Sequence, residues 1–208
     1  MIRKRLRENI LLSDYDTIVS LVPTKSKVLD LGCGVGDLLI RLKEEKEVQG
    51  MGLEINQTAV IECIHKGLSV VQGNIDQGLV DYSDNSYDYV ILNKTLQVIH
   101  KPDFVIEEML RVGKQAIVSF PNFGYWQVRL SFLLKGNMPR TIKLPFEWYN
   151  TPNIHLVTIK DFKVFCKTRK IEILKQINLA SNNKGKPKQI KHIPNWRADE
   201  GIFIITRR

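Results

Sequence analysis

Three glycines at alternate positions, Gly32, Gly34 and Gly36, constrain the chemistry of this chain more than any other feature. They follow Val28-Leu29-Asp30-Leu31, an apolar run carrying one carboxylate, and precede Asp37. Glycine lacks a Cβ and accepts positive φ, so the pattern reads as a buried strand entering a tight loop whose backbone passes close to a ligand. A dinucleotide loop has the spacing G-x-G-x-x-G and holds pyrophosphate at a helix N-terminus. Here the third glycine comes one residue early, and Asp37 stands where the last glycine belongs. Asp30 and Asp37 would repel a pyrophosphate and attract a cation. The spacing fits S-adenosylmethionine, which carries a sulfonium and an ammonium and no phosphate.

Further candidates fall at the ends of the next apolar segments. Glu54, followed by Ile55, lies eighteen positions after Gly36. That is close to the distance at which an acidic residue reaches ribose hydroxyls in nucleotide-binding α/β folds. A carboxylate can accept two such hydroxyls at once. Asn74-Ile75-Asp76 offers acceptors for an adenine amino group. Asn93-Lys94-Thr95-Leu96-Gln97 would line the place where a substrate meets the methyl group. The candidate cofactor-binding set is therefore Asp30, Gly32, Cys33, Gly34, Gly36, Glu54, Ile55, Asn74, Ile75, Asp76, Asn93 and Lys94, with no metal ligands.

Methyl transfer is an in-line displacement on an activated carbon, so the protein mainly positions donor and acceptor. A base is needed only where the acceptor must lose a proton before attack. The chain contains no triad, and His100 and His155 are its candidate bases. Cys33 reads as a small packing residue. Enzymes that methylate amino groups of DNA bases or glutamine carry Asn/Asp-Pro-Pro-Tyr/Phe after the fourth strand. Only Asn93 matches that loop, and no Pro-Cys pair is present for attack on cytosine. Nucleic-acid methylation is disfavoured.

The elements that must position these residues alternate. Ser13 or Asp14 can cap a short helix through Leu21, stopped by Pro23. Strands are expected at Val28–Leu31, Val48–Leu53, Leu68–Gln72, Tyr87–Leu92, Gln115–Phe120, Ile171–Ile177 and Gly201–Thr206, with a mobile polar loop from Ser181 to Lys191. Helices are expected at Asp37–Lys46, at Gln57–Lys66 before Gly67, and at Pro102–Val112 before Gly113. The expected fold is α/β and Rossmann-like, a mostly parallel seven-stranded sheet with helices on both faces. Residues 122–156 break the alternation. They are rich in aromatics and follow the C-terminal end of the fifth strand, where ligands of open parallel sheets bind. A lid or a partner-docking segment is expected there.

Composition sets outer bounds. The 208 residues suit one α/β domain, 1–208, and contain no apolar run long enough to cross a membrane. The basic start Met1-Ile2-Arg3-Lys4-Arg5-Leu6-Arg7 has no signal core after it, because Ser13-Asp14 interrupts. Cys33, Cys63 and Cys166 show neither C-x-x-C spacing nor an even number, and a reducing, cytoplasmic setting is expected. The net charge of +9 raises the question of nucleic acid. Its clusters, Arg3–Arg7 and Lys184–Lys191, lack interleaved aromatics, which favours an ordinary lysine-rich surface.

The order of these motifs resembles the class I S-adenosylmethionine-dependent methyltransferases over about Lys25 to Phe120. The whole chain more narrowly resembles the MetW family. The carrying residues are Val28-Leu29-Asp30-Leu31-Gly32-Cys33-Gly34, Gly73-Asn74-Ile75-Asp76, Leu92-Asn93-Lys94-Thr95-Leu96-Gln97, Ser119-Phe120-Pro121-Asn122-Phe123 and Pro145-Phe146-Glu147-Trp148-Tyr149-Asn150-Thr151-Pro152-Asn153-Ile154-His155. The resemblance implies a class I methyltransferase fold, S-adenosylmethionine or S-adenosylhomocysteine as ligand, and a role in methionine synthesis alongside homoserine O-acetyltransferase. Three functions stay open: a small-molecule methyltransferase, a ligand-sensing protein acting on a partner enzyme, and an RNA methyltransferase using the basic surface.

Overall fold

The computed structural model describes residues 14–182 and 185–207. Residues 14–21 form helix α1. There follow β1 (Lys27–Leu31), α2 (Asp37–Lys46), β2 (Gln49–Glu54), α3 (Gln57–His65), β3 (Ser69–Gln72), β4 (Tyr87–Asn93), α4 (Pro102–Val112) and β5 (Gly113–Pro121). The second half holds α5 (Trp126–Lys135), α6 (Ile159–Thr168), β6 (Ile171–Asn182), β7 (Gly185–Gln189), the short α7 (Pro194–Arg197) and β8 (Glu200–Arg207).

The strands form one sheet in the order β3-β2-β1-β4-β5-β8-β6-β7. The five strands from β3 to β5 run parallel, and β8 lies antiparallel to both β5 and β6. Side chains alternate across the sheet, as a strand's period of two requires. Val28, Ile91 and Ile117 face α1 and α2, through Ile18, Leu38 and Leu42. Leu29, Leu92, Val118 and Phe203 face α4 and α6, through Ile106, Met109 and Phe162. The rings of Phe120, Phe162 and Phe203 lie 4.7–5.7 Å apart and tie β5, α6 and β8 together. Fully burying one such side chain is worth about 1.5–3 kcal/mol.

Two corrections concern the second half. The sheet has eight strands, not seven, because residues 181–182 and 185–189, expected within a loop, are strand. β6 continues to Asn182 and pairs antiparallel with β7, with Leu179 opposite Gln189 and Ala180 opposite Lys188. β7 is the edge strand, and lysines with a proline are what protects an edge from pairing with another chain. The same residues imitate a loop in sequence. Helix α6 was also unforeseen. Thr158 caps it by accepting from the Asp161 amide, and its Ile159, Phe162 and Cys166 are buried. Ser13, Lys184 and the Arg3–Arg7 cluster lie outside the described residues.

Candidate functional site

The glycine loop leaves β1 with three successive left-handed glycines, Gly32 (φ 70°), Gly34 (φ 56°) and Gly36 (φ 81°). Gly36 is the N-cap of α2. Two contacts hold the loop against the end of β2. The Gly32 amide donates to the Leu53 carbonyl at 2.7 Å, and the Gly34 amide donates to Glu54 Oε2 at 2.8 Å. The other Glu54 oxygen accepts from the Asn56 amide at 2.9 Å. Glu54 therefore braces the loop while remaining at the cleft wall. A Cβ on Gly32 would come within 2.9 Å of Thr95 Cγ2 and Oγ1. With the strain of positive φ, Gly32→Ala should cost about 2 kcal/mol. A melting temperature within 1 °C of the wild type would show that the loop does not need this approach.

Beyond the loop lies a cleft of about 390 Å³ at the C-terminal ends of β1, β2, β3 and β4. Of the sequence candidates, Gly32, Glu54, Ile55, Asn74, Ile75, Asp76 and His100 line it, together with Thr95 and Ile99. Asn74 Oδ1 accepts from the Asp76 amide, which sets a tight turn. Asp76 accepts from the His100 and Lys101 amides at 3.2 and 2.9 Å, so it also holds the approach to α4. Asp30 is buried at the end of β1. Burial first, and then the carboxylate of Glu54, push its pKa up to about 7. A positive group in the cleft would relieve that repulsion, so the donor set fits a cationic ligand. Cys33 lies within the loop beside Cys63, and burial pushes both thiols up, in keeping with packing rather than nucleophilic roles.

Asn93 and Lys94 turn away from the cleft. Asn93 Oδ1 accepts from Ser119 Oγ at 2.5 Å, and Ser119 Oγ accepts from the Lys94 amide at 3.0 Å. Lys94 adopts φ 54°, and its ammonium pairs with Asp14 of α1. Three residues outside the candidate set complete a buried ion quartet there. Lys143 donates to Asp14 Oδ1 and Oδ2 at 2.8 and 2.7 Å and pairs with Glu200 of β8. Lys94 lies 3.9 Å from Glu200. Asp14 and Glu200 have no exposed side-chain surface. Burial raises the Asp14 carboxyl, but the Lys94 and Lys143 ammoniums outweigh it and leave it below the usual range. Burial dominates at Glu200 and pushes it up to about 7. Glu200 Oε1 is buried with no hydrogen-bond partner among the described residues. Asp14, offered with Ser13 as a possible cap of the first helix, is that helix's first described residue, and its carboxylate is engaged by this quartet.

His155 is not in the cleft. It borders a separate groove between α4 and α6, and its backbone amide donates to the Gln97 carbonyl at 3.1 Å. The segment between β5 and α6 contains α5 and then an irregular run, anchored inward by Tyr125, Val128 and Leu144. Among the described residues no helix is long and apolar enough to cross a membrane.

Comparison with known proteins agrees with this geometry. A SAM-dependent methyltransferase of Thermotoga maritima superposes with a TM-score of 0.72 at 15% identity, over 98% of this chain and 91% of that one. The fold is thus the Rossmann-like fold of class I methyltransferases. A demethylmenaquinone methyltransferase of Bacillus mycoides is 34% identical over 43% of this chain and 40% of its own. The bifunctional methionine biosynthesis protein MetXA/MetW of Rhodopirellula baltica is 33% identical over the whole of this chain, which spans 36% of that relative's length. The family described as methionine biosynthesis protein MetW matches residues 12–205. With its glycine loop, acidic cleft and sheet order in place, the chain belongs to the MetW family.

Proposed function

We propose that this chain binds S-adenosylmethionine or S-adenosylhomocysteine in the cleft at Gly32, Glu54 and Asp76, and acts with homoserine O-acetyltransferase as a ligand-responsive protein of methionine biosynthesis. One contrast supports a sensing role. The ligand side is an open acidic cleft, whereas on the acceptor side Asn93 and Lys94 are engaged by other side chains. Asn93 is taken by Ser119, and Lys94 by Asp14. S-adenosylmethionine supplies an activated methyl carbon when bound. The loop backbone and Glu54 would hold it, Ile55 and Asn74 would flank it, and Asp30 would supply negative charge. The fused MetXA/MetW relative supports the partner. A second reading, methyl transfer to a small acceptor, draws on the fold and on His100 at the cleft wall.

Titration calorimetry with both ligands tests the first half of the proposal, and one-site binding is expected. Assaying the acetyltransferase with and without this chain and ligand tests the second half. Its rate should change on adding the chain and change again on adding ligand. An absence of ligand binding would overturn the reading. Transfer of labelled methyl to a small acceptor would favour the alternative.

A further inference from the structure

The exposed apolar side chains of residues 138–156 belong to neither the cleft nor the ion quartet. Met138, Phe146, Trp148 and Leu156 wall a shallow depression of about 60 Å³ over the buried Leu144. Leu156 also walls the groove between α4 and α6, about 350 Å³, floored by Phe162. The two hollows share that residue and form one apolar strip. Trp148 is 71% exposed and Leu156 56% exposed. Trp148 and Tyr149 meet edge to face at 5.7 Å. His155 Nε2, on the groove wall, is buried and has no hydrogen-bond partner among the described residues. An exposed apolar strip with an aromatic anchor has the make-up of an interface core.

We infer that this strip is the docking face for homoserine O-acetyltransferase, an inference that rests on the partner reading above. Two observations select this occupant. In the fused relative, the counterpart of the whole of this chain shares one polypeptide with a part named for the other function. Such a tether holds two surfaces at high effective concentration, and a permanent neighbour keeps an apolar strip covered. The strip also lies against the ligand site. Leu96 lines the groove, and its turn neighbours Thr95 and Val98 line the cleft, so a single turn separates partner from ligand.

Sedimentation velocity with the full chain and the acetyltransferase of the same organism tests the inference. The double variant Trp148→Asp/Leu156→Asp should lose about 30-fold or more in affinity, and the milder Trp148→Ala about tenfold. Val80→Asp, at an exposed apolar residue outside the strip, should stay within about twofold. Unchanged melting temperature and S-adenosylmethionine binding certify that the variants are folded. Wild-type affinity in the double variant and in Trp148→Ala would overturn the docking face while leaving the partnership standing. Failure of the wild type to bind would overturn the partnership and the face together. Self-association of the wild type that the double variant abolishes, with acetyltransferase binding intact, would assign the strip to a second copy and overturn the inference.

Discussion

Lys143→Met should destabilise this chain by about 3–5 kcal/mol, the cost of breaking a buried ion pair by removing one partner. The residue is nearly inaccessible and lies against two inaccessible carboxylates. Without it, Lys94 alone faces Asp14 and Glu200, and one of the two carboxyls must take up a proton or draw water inward. At about 2–4 °C per kcal/mol, the melting temperature should fall by roughly 10 °C. The deficit should widen as pH rises. The Glu200 pKa is already raised to about 7 from 4.5, so the folded state holds a proton there that the unfolded state has lost. Stability contributed by that site therefore falls between about pH 4.5 and 7. Removing the ammonium pushes the carboxyl higher still and extends the loss upward. A melting temperature within 2 °C of the wild type at pH 8 would mean that the quartet does not stabilise the fold.

The double variant Lys143→Met/Glu200→Gln separates charge balance from packing. It removes one charge of each sign and leaves Lys94 with Asp14. Much of the lost stability should return, giving a coupling energy of about 1–3 kcal/mol between the two positions. Lys143 is what fastens the segment after α5 to α1 and β8. Its loss should therefore also speed amide exchange in residues 137–156 more than in the parallel strands.

The quartet was invisible in sequence for a physical reason. Lys143 sits 129 residues from Asp14 and 57 from Glu200, and no local rule distinguishes a buried lysine in Thr141-Ile142-Lys143-Leu144 from a solvated one. Only tertiary packing brings together α1, the segment after α5 and β8. The glycine loop was legible because its requirement is local: each glycine takes a φ that other residues adopt at a cost. Helix α4 was legible to the residue, from Pro102 in its first turn to the stop at Gly113. α6 carried an equally local signal, Thr158 and Asp161 ahead of Phe162 and Cys166, which the preceding aromatic run obscured. Edge strand β7 hid behind its own protection, since lysine, glycine and proline mark both loops and guarded edges. Among the candidate residues, Asp76 and His100 line the cleft, whereas Asn93, Lys94 and His155 do not. Asp76 stands at the cleft as expected, but its bonds to the His100 and Lys101 amides depend on the turn before α4.

Asp30 should make ligand binding pH-dependent in a defined direction. Its carboxyl rises from 3.8 to about 7, through burial and then through Glu54. Between those values the folded chain holds a proton that the unfolded chain has released, so this site costs stability as pH rises towards 7. A cationic ligand favours the ionised form. Affinity for S-adenosylmethionine should therefore climb by up to tenfold per unit as pH rises to about 7 and then level off. Binding near pH 6.5 should release a fraction of a proton, read as a dependence of the calorimetric heat on buffer ionisation enthalpy. Cys33 and Tyr15, which also face Asp30, are pushed upward and do not titrate in this range. Asp30→Asn should move binding and stability in opposite directions. Losing one charge near a cation costs about 100-fold in affinity at pH 8, or ~2.7 kcal/mol. The ligand-free protein should melt about 3 °C or more above the wild type at that pH, because the buried charge and then its repulsion with Glu54 are gone. Equal affinity at pH 5.5 and 7.5 would remove Asp30 from the binding charge. A variant that loses binding and stability together would make it a packing residue of β1 instead.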